Sequence, residues 1–428
     1  MALRKATFSC LLLLGCNVPA PRGSSGGVRL DAATPTTQGD GSVSGRCSRA
    51  VVVDESDYTS TNIALLDLEG QVLEQSVASS ATRSVGLAAP LSGDIVLPTM
   101  PVGGAEIVLV DGFQSTSRII WVDPATAGKR ELSVATGFWS DPHDYAQLSS
   151  TKAYVSRYNP NPTPGAEPFD PGNDVLIIDP SKPAIVGSID MLPPLGSDAA
   201  RALPHVDKIV LAGDRAYVLL GALGKDFSAQ VPSRIVSVDV RTDEVRAVVT
   251  LEGFLDCAGL ALSPTGRQIA VLCLGAKIQP SAPSDLGGSG VVLIDIDQDP
   301  KMARSFRAAD IGEGPVGFFG AYSSPSTLIL QTFGYADPSS GKSADDTVIR
   351  LDLSSGQSEV VLRSEGEPFT LGGIACDVAC GACFAADAKR QGGVVHRLEI
   401  RADGSLSGDQ PIKVETSPGL PPRYLGRL

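Results

Sequence analysis

Sustained helical periodicity is missing from this chain: no long stretch keeps apolar residues at 3.6-residue spacing. Histidine is scarce, at three residues, and tryptophan scarcer, at two. Two tryptophans argue against the aromatic platform that a quinone-type redox cofactor needs. There is no Gly-x-Ser-x-Gly, no His-Glu-x-x-His and no phosphate-binding loop, so the common hydrolase and nucleotide signatures are absent. No Cys-x-x-Cys-His occurs, which excludes covalent haem. Basic excess is lacking too. The net charge of −13 argues against nucleic acid or anionic lipid as the main partner. No cofactor and no bound metal are expected.

What is present is a chain of short apolar runs punctuated by 46 glycines and 31 prolines, a pattern of strands and turns. One phrase organises it: Asn62-Ile-Ala-Leu-Leu-Asp67, an apolar run closed by an acid. It returns ending at Asp123, Asp179, Asp239, Asp295, Asp352 and Glu399, at intervals of 56, 56, 60, 56, 57 and 47 residues. Such a period means a repeat architecture. The closing acids are read as acceptors of turn hydrogen bonds. A second run precedes each phrase: Ala50-Val-Val-Val, Ile95-Val-Leu-Pro, Ala153-Tyr-Val-Ser, Ala216-Tyr-Val-Leu, Ile269-Ala-Val-Leu, Leu328-Ile-Leu-Gln and Cys383-Phe-Ala-Ala. A further strand enters through turns such as Ser263-Pro-Thr-Gly, and a fourth follows, as at Ala184-Ile-Val-Gly-Ser-Ile.

Four antiparallel strands in seven repeats compose an all-β, seven-bladed β-propeller over residues 46–428, roughly 55 residues per blade. The first repeat lacks an opening strand and the last has residues to spare. Residues 421–427 are therefore expected to complete the first blade, pairing two exposed edges.

The N-terminus reads as an address. Arg4 and Lys5 precede a short apolar core and Leu13-Leu-Gly-Cys16, the pattern of a signal peptide over 1–15. The Leu-Leu-Gly-Cys end resembles the lipobox of bacterial lipoproteins. The resemblance implies cleavage before Cys16 and lipidation of its sulfur, hence a membrane partner through the N-terminal lipid. Residues 16–45 are rich in Gly, Ser, Pro and Thr and are read as a flexible tether. The expected location is the bacterial cell envelope, facing the periplasm or the cell surface.

The repeats resemble YVTN and lactonase-like seven-bladed propellers. The family's namesake phrase survives as Ala153-Tyr-Val-Ser and Ala216-Tyr-Val-Leu. These motifs are structural and imply a fold, not an activity.

Beyond Cys10 and Cys16, six cysteines remain, an even number in an exported chain. Cys257 and Cys273 flank one first-to-second-strand turn, and Cys376 and Cys383 flank another. Facing positions on paired strands are within disulfide reach. Cys47 and Cys380 are left, on neighbouring blades of a closed ring, and a bridge between them would clamp the closure. A zinc site of Cys376, Cys380, Cys383 and Cys47 is the alternative. An oxidising compartment and unusual spacing weigh against it.

His143 and His205 each follow a proline and are expected at matching places where two adjacent inner strands begin. Asp141, Asp144, Asp207 and Asp256 lie nearby, with Asp144 and Asp207 the candidates beside the histidines. The Pro-His pair resembles an element of lactonase-like propellers. Such a set could bind a divalent ion or supply a general base. The plainer reading, and the preferred one, is that Pro-His marks strand openings. His396 falls inside a repeat strand and is read as structural.

Two functions are carried forward. One is a monomeric binding or scaffold module for protein or envelope components. The other is a lactonase-like hydrolase working at the channel mouth. Convergent histidines and carboxylates would favour the second. An exposed aromatic face would favour the first.

Overall fold

The computed structural model describes residues 47–81, 90–104, 106–113, 117–124, 131–276, 278–389, 392–414 and 419–428. The expected signal peptide, lipidation site Cys16 and tether lie outside these residues.

Strands dominate, in seven four-stranded antiparallel sheets arranged as a propeller. The second and third strands of each blade are packed on both faces by neighbouring blades. A strand buried on both faces reads as a continuous apolar run rather than an alternation. Thr61–Leu66 and Arg234–Asp239 are accordingly buried at every position, whereas the outermost strand Lys301–Arg307 is exposed at all but one. Seven hydrophobic clusters fill the seven seams. The cluster holding Val51, Val53, Ala382 and Phe384 joins the last blade to the first.

Closure is made as the repeat count requires. Pro422–Arg427 pairs antiparallel with Val51–Ser56 and becomes the inner strand of blade 1. Disulfides join Cys47 to Cys380, Cys257 to Cys273 and Cys376 to Cys383. The first spans the seam between blades 7 and 1, where Ser48 N also donates to Asp377 Oδ2 at 2.6 Å. Inner strands approach one another backbone to backbone near the axis. A Cβ on Gly259 would sit 2.3 Å from the Phe318 carbonyl, so only glycine fits there.

Blade 2 departs from the expected pattern. Ile95-Val-Leu-Pro does not supply its second strand; Ile107–Asp111 does, and the inner strand is only Ile95–Val96. The residues after it leave the sheet and cross the channel. Leu97 packs against the Gly426 position of blade 1. Thr99 N donates to Asp144 of blade 3 at 2.9 Å, and Leu211 N of blade 4 reaches Met100 Sδ at 2.9 Å. The channel is thereby stoppered at one end.

The closing acids divide by role. Asp67, Asp179, Asp239 and Asp352 accept backbone N–H groups two to four residues ahead. Asp295 instead takes the Gln268 amide at 3.0 Å. Glu399 lies 3.7 Å from Arg397, and the turn beyond it is capped by Asp403. His396 pairs with Asp409 at 2.8 Å on a third strand.

Candidate functional site at the channel mouth

All inner strands begin at the end of the channel away from the stopper. Their register is fixed by a repeated hydrogen bond from the residue after the second strand to the residue before the inner one. Gly112 donates to Asp94, Tyr158 to Asp141, Gly221 to His205, Leu274 to Asp256, Phe333 to Pro315 and Ala388 to Thr370, at 2.8 to 3.0 Å. Asp94, Asp141, His205, Asp256, Pro315 and Thr370 are therefore equivalent around the ring.

This register corrects the expectation for the histidines. His205 matches Asp141, and His143 matches Asp207, two residues further along. Pro142 lies inside its strand, paired with Arg157, while Pro204 lies outside its own. The identical dipeptide thus marks different positions. A two-residue offset preserves strand alternation, so both rings still reach the mouth.

A ladder irregularity follows at once in six blades: between Pro142 and Asp144, Val206 and Ile209, Cys257 and Gly259, Val316 and Gly320, Leu371 and Ile374, and opposite Asp54 and Glu55 in blade 1. Bulges re-aim side chains and gather at functional rims. The residues set there are Arg423, His143, Asp207, Ala258, Gly317 and Gly372. Charge occupies one side of the ring and small residues the other.

His143 is the centre of the charged side. Its Nδ1 lies 3.1 Å from Asp207 and its Nε2 3.5 Å from Asp141, so the next blade and its own blade each contribute a carboxylate. Its ring stacks on Tyr158 at 4.2 Å and 12°. Burial opposes charge on this imidazole, but the two carboxylates outweigh it and raise its pKa to about 9. His143 is thus an imidazolium at neutral pH, not a general base. Burial would raise Asp207, yet His143 and Lys208 hold it below the usual range.

His205 is the opposite case. It is 1% exposed, packed against Tyr158 at 4.6 Å and Phe227 at 5.2 Å. Burial and the nearby His143 charge lower its pKa to about 4. The Tyr158 and Gly224 backbones lie close, yet neither ring nitrogen meets a partner in hydrogen-bonding geometry. Asp256 follows on blade 5, raised to about 7 by burial and by Asp207. Burial and three carboxylates, Asp207, Asp256 and Asp141, also keep the Tyr158 hydroxyl protonated.

Asp144 does not join this group. It points the other way, fully buried, and accepts N–H groups from Thr99, Tyr145 and Ile209 at 2.8 to 2.9 Å. It ties three blades together. Among the described residues no group of three His, Cys, Asp or Glu is disposed to hold a metal.

Beyond Ala258 the cup turns apolar, with Leu274, Phe333, Ile278 and Phe369 in one cluster and Phe318 against Phe333 at 5.3 Å. Around the mouth stand Tyr58, Phe113, Phe138, Trp139, Phe169 and Phe227, each on a connection at this end and 38% to 65% exposed. With Phe318 in the cup, every large aromatic that is exposed among the described residues lies here. Sequence reasoning named none of them, nor Tyr158.

No family model matches the chain, and no curated protein matches it. Solved structures do, at the level of fold. A protein from Lactobacillus plantarum superposes with a TM-score of 0.52 and 12% identity over 89% of this chain and 99% of its own. The periplasmic gluconolactonase PpgL of Pseudomonas aeruginosa gives 0.50 and 12% over 89% and 98%. The β-propeller domain of Cps50 from Myceliophteria thermophila gives 0.50 and 12% over 84% and 96%. The chain is a seven-bladed propeller whose structural neighbours include a lactonase.

Proposed function

We propose that this protein is an extracytoplasmic binding module that engages its target with the loop-rich face and the cup at its centre. One observation carries the reading: among the described residues, the exposed aromatic side chains are confined to that face. Exposed aromatic surface is costly in water and marks interaction sites. Three disulfides fit an oxidising compartment. No helix among the described residues is long and apolar enough to cross a membrane. Anchoring through lipidated Cys16 completes the proposal. The tether would join the disc at Cys47, beside the Cys380 turn on the stoppered face, so the cup would look away from the membrane.

The test compares capture of envelope components by the wild type, by Tyr58→Ser/Trp139→Ser/Phe227→Ser, and by an outer-edge control, Val186→Ser/Val248→Ser. Loss in the first variant alone supports the reading; equal capture by all three sinks it. For the anchor, Cys16→Ser should move the protein from the membrane to the soluble fraction.

A lactonase-like hydrolase is the second reading, favoured by Asp256, whose carboxyl is tuned close to neutral pH. It predicts lactone hydrolysis that rises or falls through pH 7 and is lost in Asp256→Asn.

A further inference from the structure

The charged side of the cup is short of positive charge. Asp94, Asp141, Asp207 and Asp256 come from four consecutive blades. The described cations facing them are His143, held by Asp141 and Asp207, and Lys208, 3.5 Å from Asp207. Arg423, on blade 1 beside the blade of Asp94, is engaged by Ser56 O at 2.7 Å and by the Tyr58 hydroxyl at 3.1 Å. Asp256 is left with no cation against it, and Asp94 has only the shared His143.

Hydrogen-bond donors are short as well. His205 is buried with neither ring nitrogen in bonding geometry. A buried imidazole without a partner has lost its hydrogen bonds to water and gained none in return. The rings of Tyr158 and Phe227, parallel within 10°, stand beside it. His143 already shows what this environment holds well: a cation between carboxylates, flat on an aromatic face. Next to it, Ala258 opens onto the apolar wall of Leu274, Phe333 and Phe369.

We propose that the cup binds an organic amine, its ammonium placed between Asp256 and His205 against the Tyr158 and Phe227 rings, and its hydrocarbon body on the Phe333–Phe369 wall. The ammonium donates to the Asp256 carboxylate and to an acceptor nitrogen of His205, meeting both deficits with one group. Phe227 covers His205 and must lift for access. It sits on a tight turn closed by its own N–H to Gly224 O at 2.8 Å, and the residue is 57% exposed. This inference rests on the reading of the loop-rich face as the binding face.

The experiment titrates the full chain by calorimetry with three probes of one shape: 2-phenylethylammonium, 2-phenylethanol and phenylacetate. The ammonium should bind at least tenfold more tightly than the alcohol, and phenylacetate more weakly still. Asp256→Asn should remove about tenfold of that affinity, and Asp403→Asn on the opposite face none. Asp256→Asn is isosteric, and its melting curve reports folding separately. Equal affinity for ammonium and alcohol, unchanged affinity in Asp256→Asn, or no ammonium binding overturns the inference. If the alcohol or phenylacetate binds best and loses affinity in Phe227→Ala, the amine falls while the binding face stands. If the ammonium binds independently of Phe227 and Asp256, both fall.

Discussion

Both faces of the disc meet the same backbone demand with glycine, but the open face adds side chains that the other does without. Tight connections need left-handed φ angles, and only glycine adopts them without strain. On the stoppered face glycine supplies them: Gly70, Gly213, Gly266, Gly356, Gly381 and Gly404. On the open face glycines such as Gly137, Gly253 and Gly366 share the task with bulky side chains, Tyr58 at φ 65°, Trp139 at 61°, Phe169 at 60°, Phe227 at 60° and Phe369 at 65°. Asp141, His205 and Asp256, at 46° to 48°, repeat it around the mouth. Of the twelve non-glycine residues with positive φ among those described, Asp243 alone lies on the stoppered face. Each such residue costs about 1–3 kcal/mol and persists where the surroundings over-determine it. The difference teaches where a side chain is held at the expense of backbone comfort.

The largest effect should come from the brace under the open face. Arg157 is fully buried. It holds Asp174 by two bonds of 2.7 Å and the carbonyls of Thr136 and Phe169 at 2.8 Å. Arg157→Ala leaves Asp174 buried without its cation, which should cost about 3–5 kcal/mol in urea unfolding. It also frees the Phe169 connection, so binding should fall with stability. A loss below about 1 kcal/mol would show that the open face needs no such brace.

Next in size is the pH dependence of the His143 pair. A pKa raised from 6.5 to about 9 gives stability that is complete below pH 6.5 and lost as pH rises to 9. At 1.36 kcal/mol per pH unit the upper bound is about 3 kcal/mol, since the side chain is 27% exposed. Asp207, lowered by the same pair, loses its share only as pH falls below the usual carboxylate range. The stability difference between wild type and His143→Gln should therefore be largest near pH 6 and fade by pH 10. A difference that grows with pH would refute the imidazolium assignment.

How much of this the amino acids disclose depends on whether the contact is local. The third strands are legible because burial on both faces writes a continuous apolar run, and Asp67 or Asp352 closes it with a short turn. The closing strand at 421–427 is legible because seven repeats need one missing edge. The stopper is not, since Ile95-Val-Leu-Pro has the composition of the strand Ile107–Asp111 supplies. Only the inner strands it crosses distinguish the two. The histidine offset is hidden because Pro-His looks alike inside and outside a strand. Tyr158 and Phe227 meet His205 from three separate segments of two blades, a proximity created by blade packing. Asp144, named beside His143, is instead engaged by the N–H groups of Thr99 and Ile209, contacts between blades that no local pattern discloses.

The smallest effects should sharpen the contrast most. Gly213 has φ 60° and open space where a Cβ would stand, so Gly213→Ala meets backbone strain and no clash. It should lower stability by about 1 kcal/mol, read as a fall in Tm of a few degrees at most. Trp139 has nearly the same φ, 61°, and is 38% exposed against Phe138. Trp139→Gly removes that strain and should leave Tm unchanged or raise it by a similar amount, while weakening capture of the target. Both substitutions touch one residue in a turn, and they differ in sign because one face uses its side chains and the other only its turns. If Trp139→Gly destabilises as Gly213→Ala does, the aromatic rim is packing rather than a binding surface, and the strain there serves the fold alone.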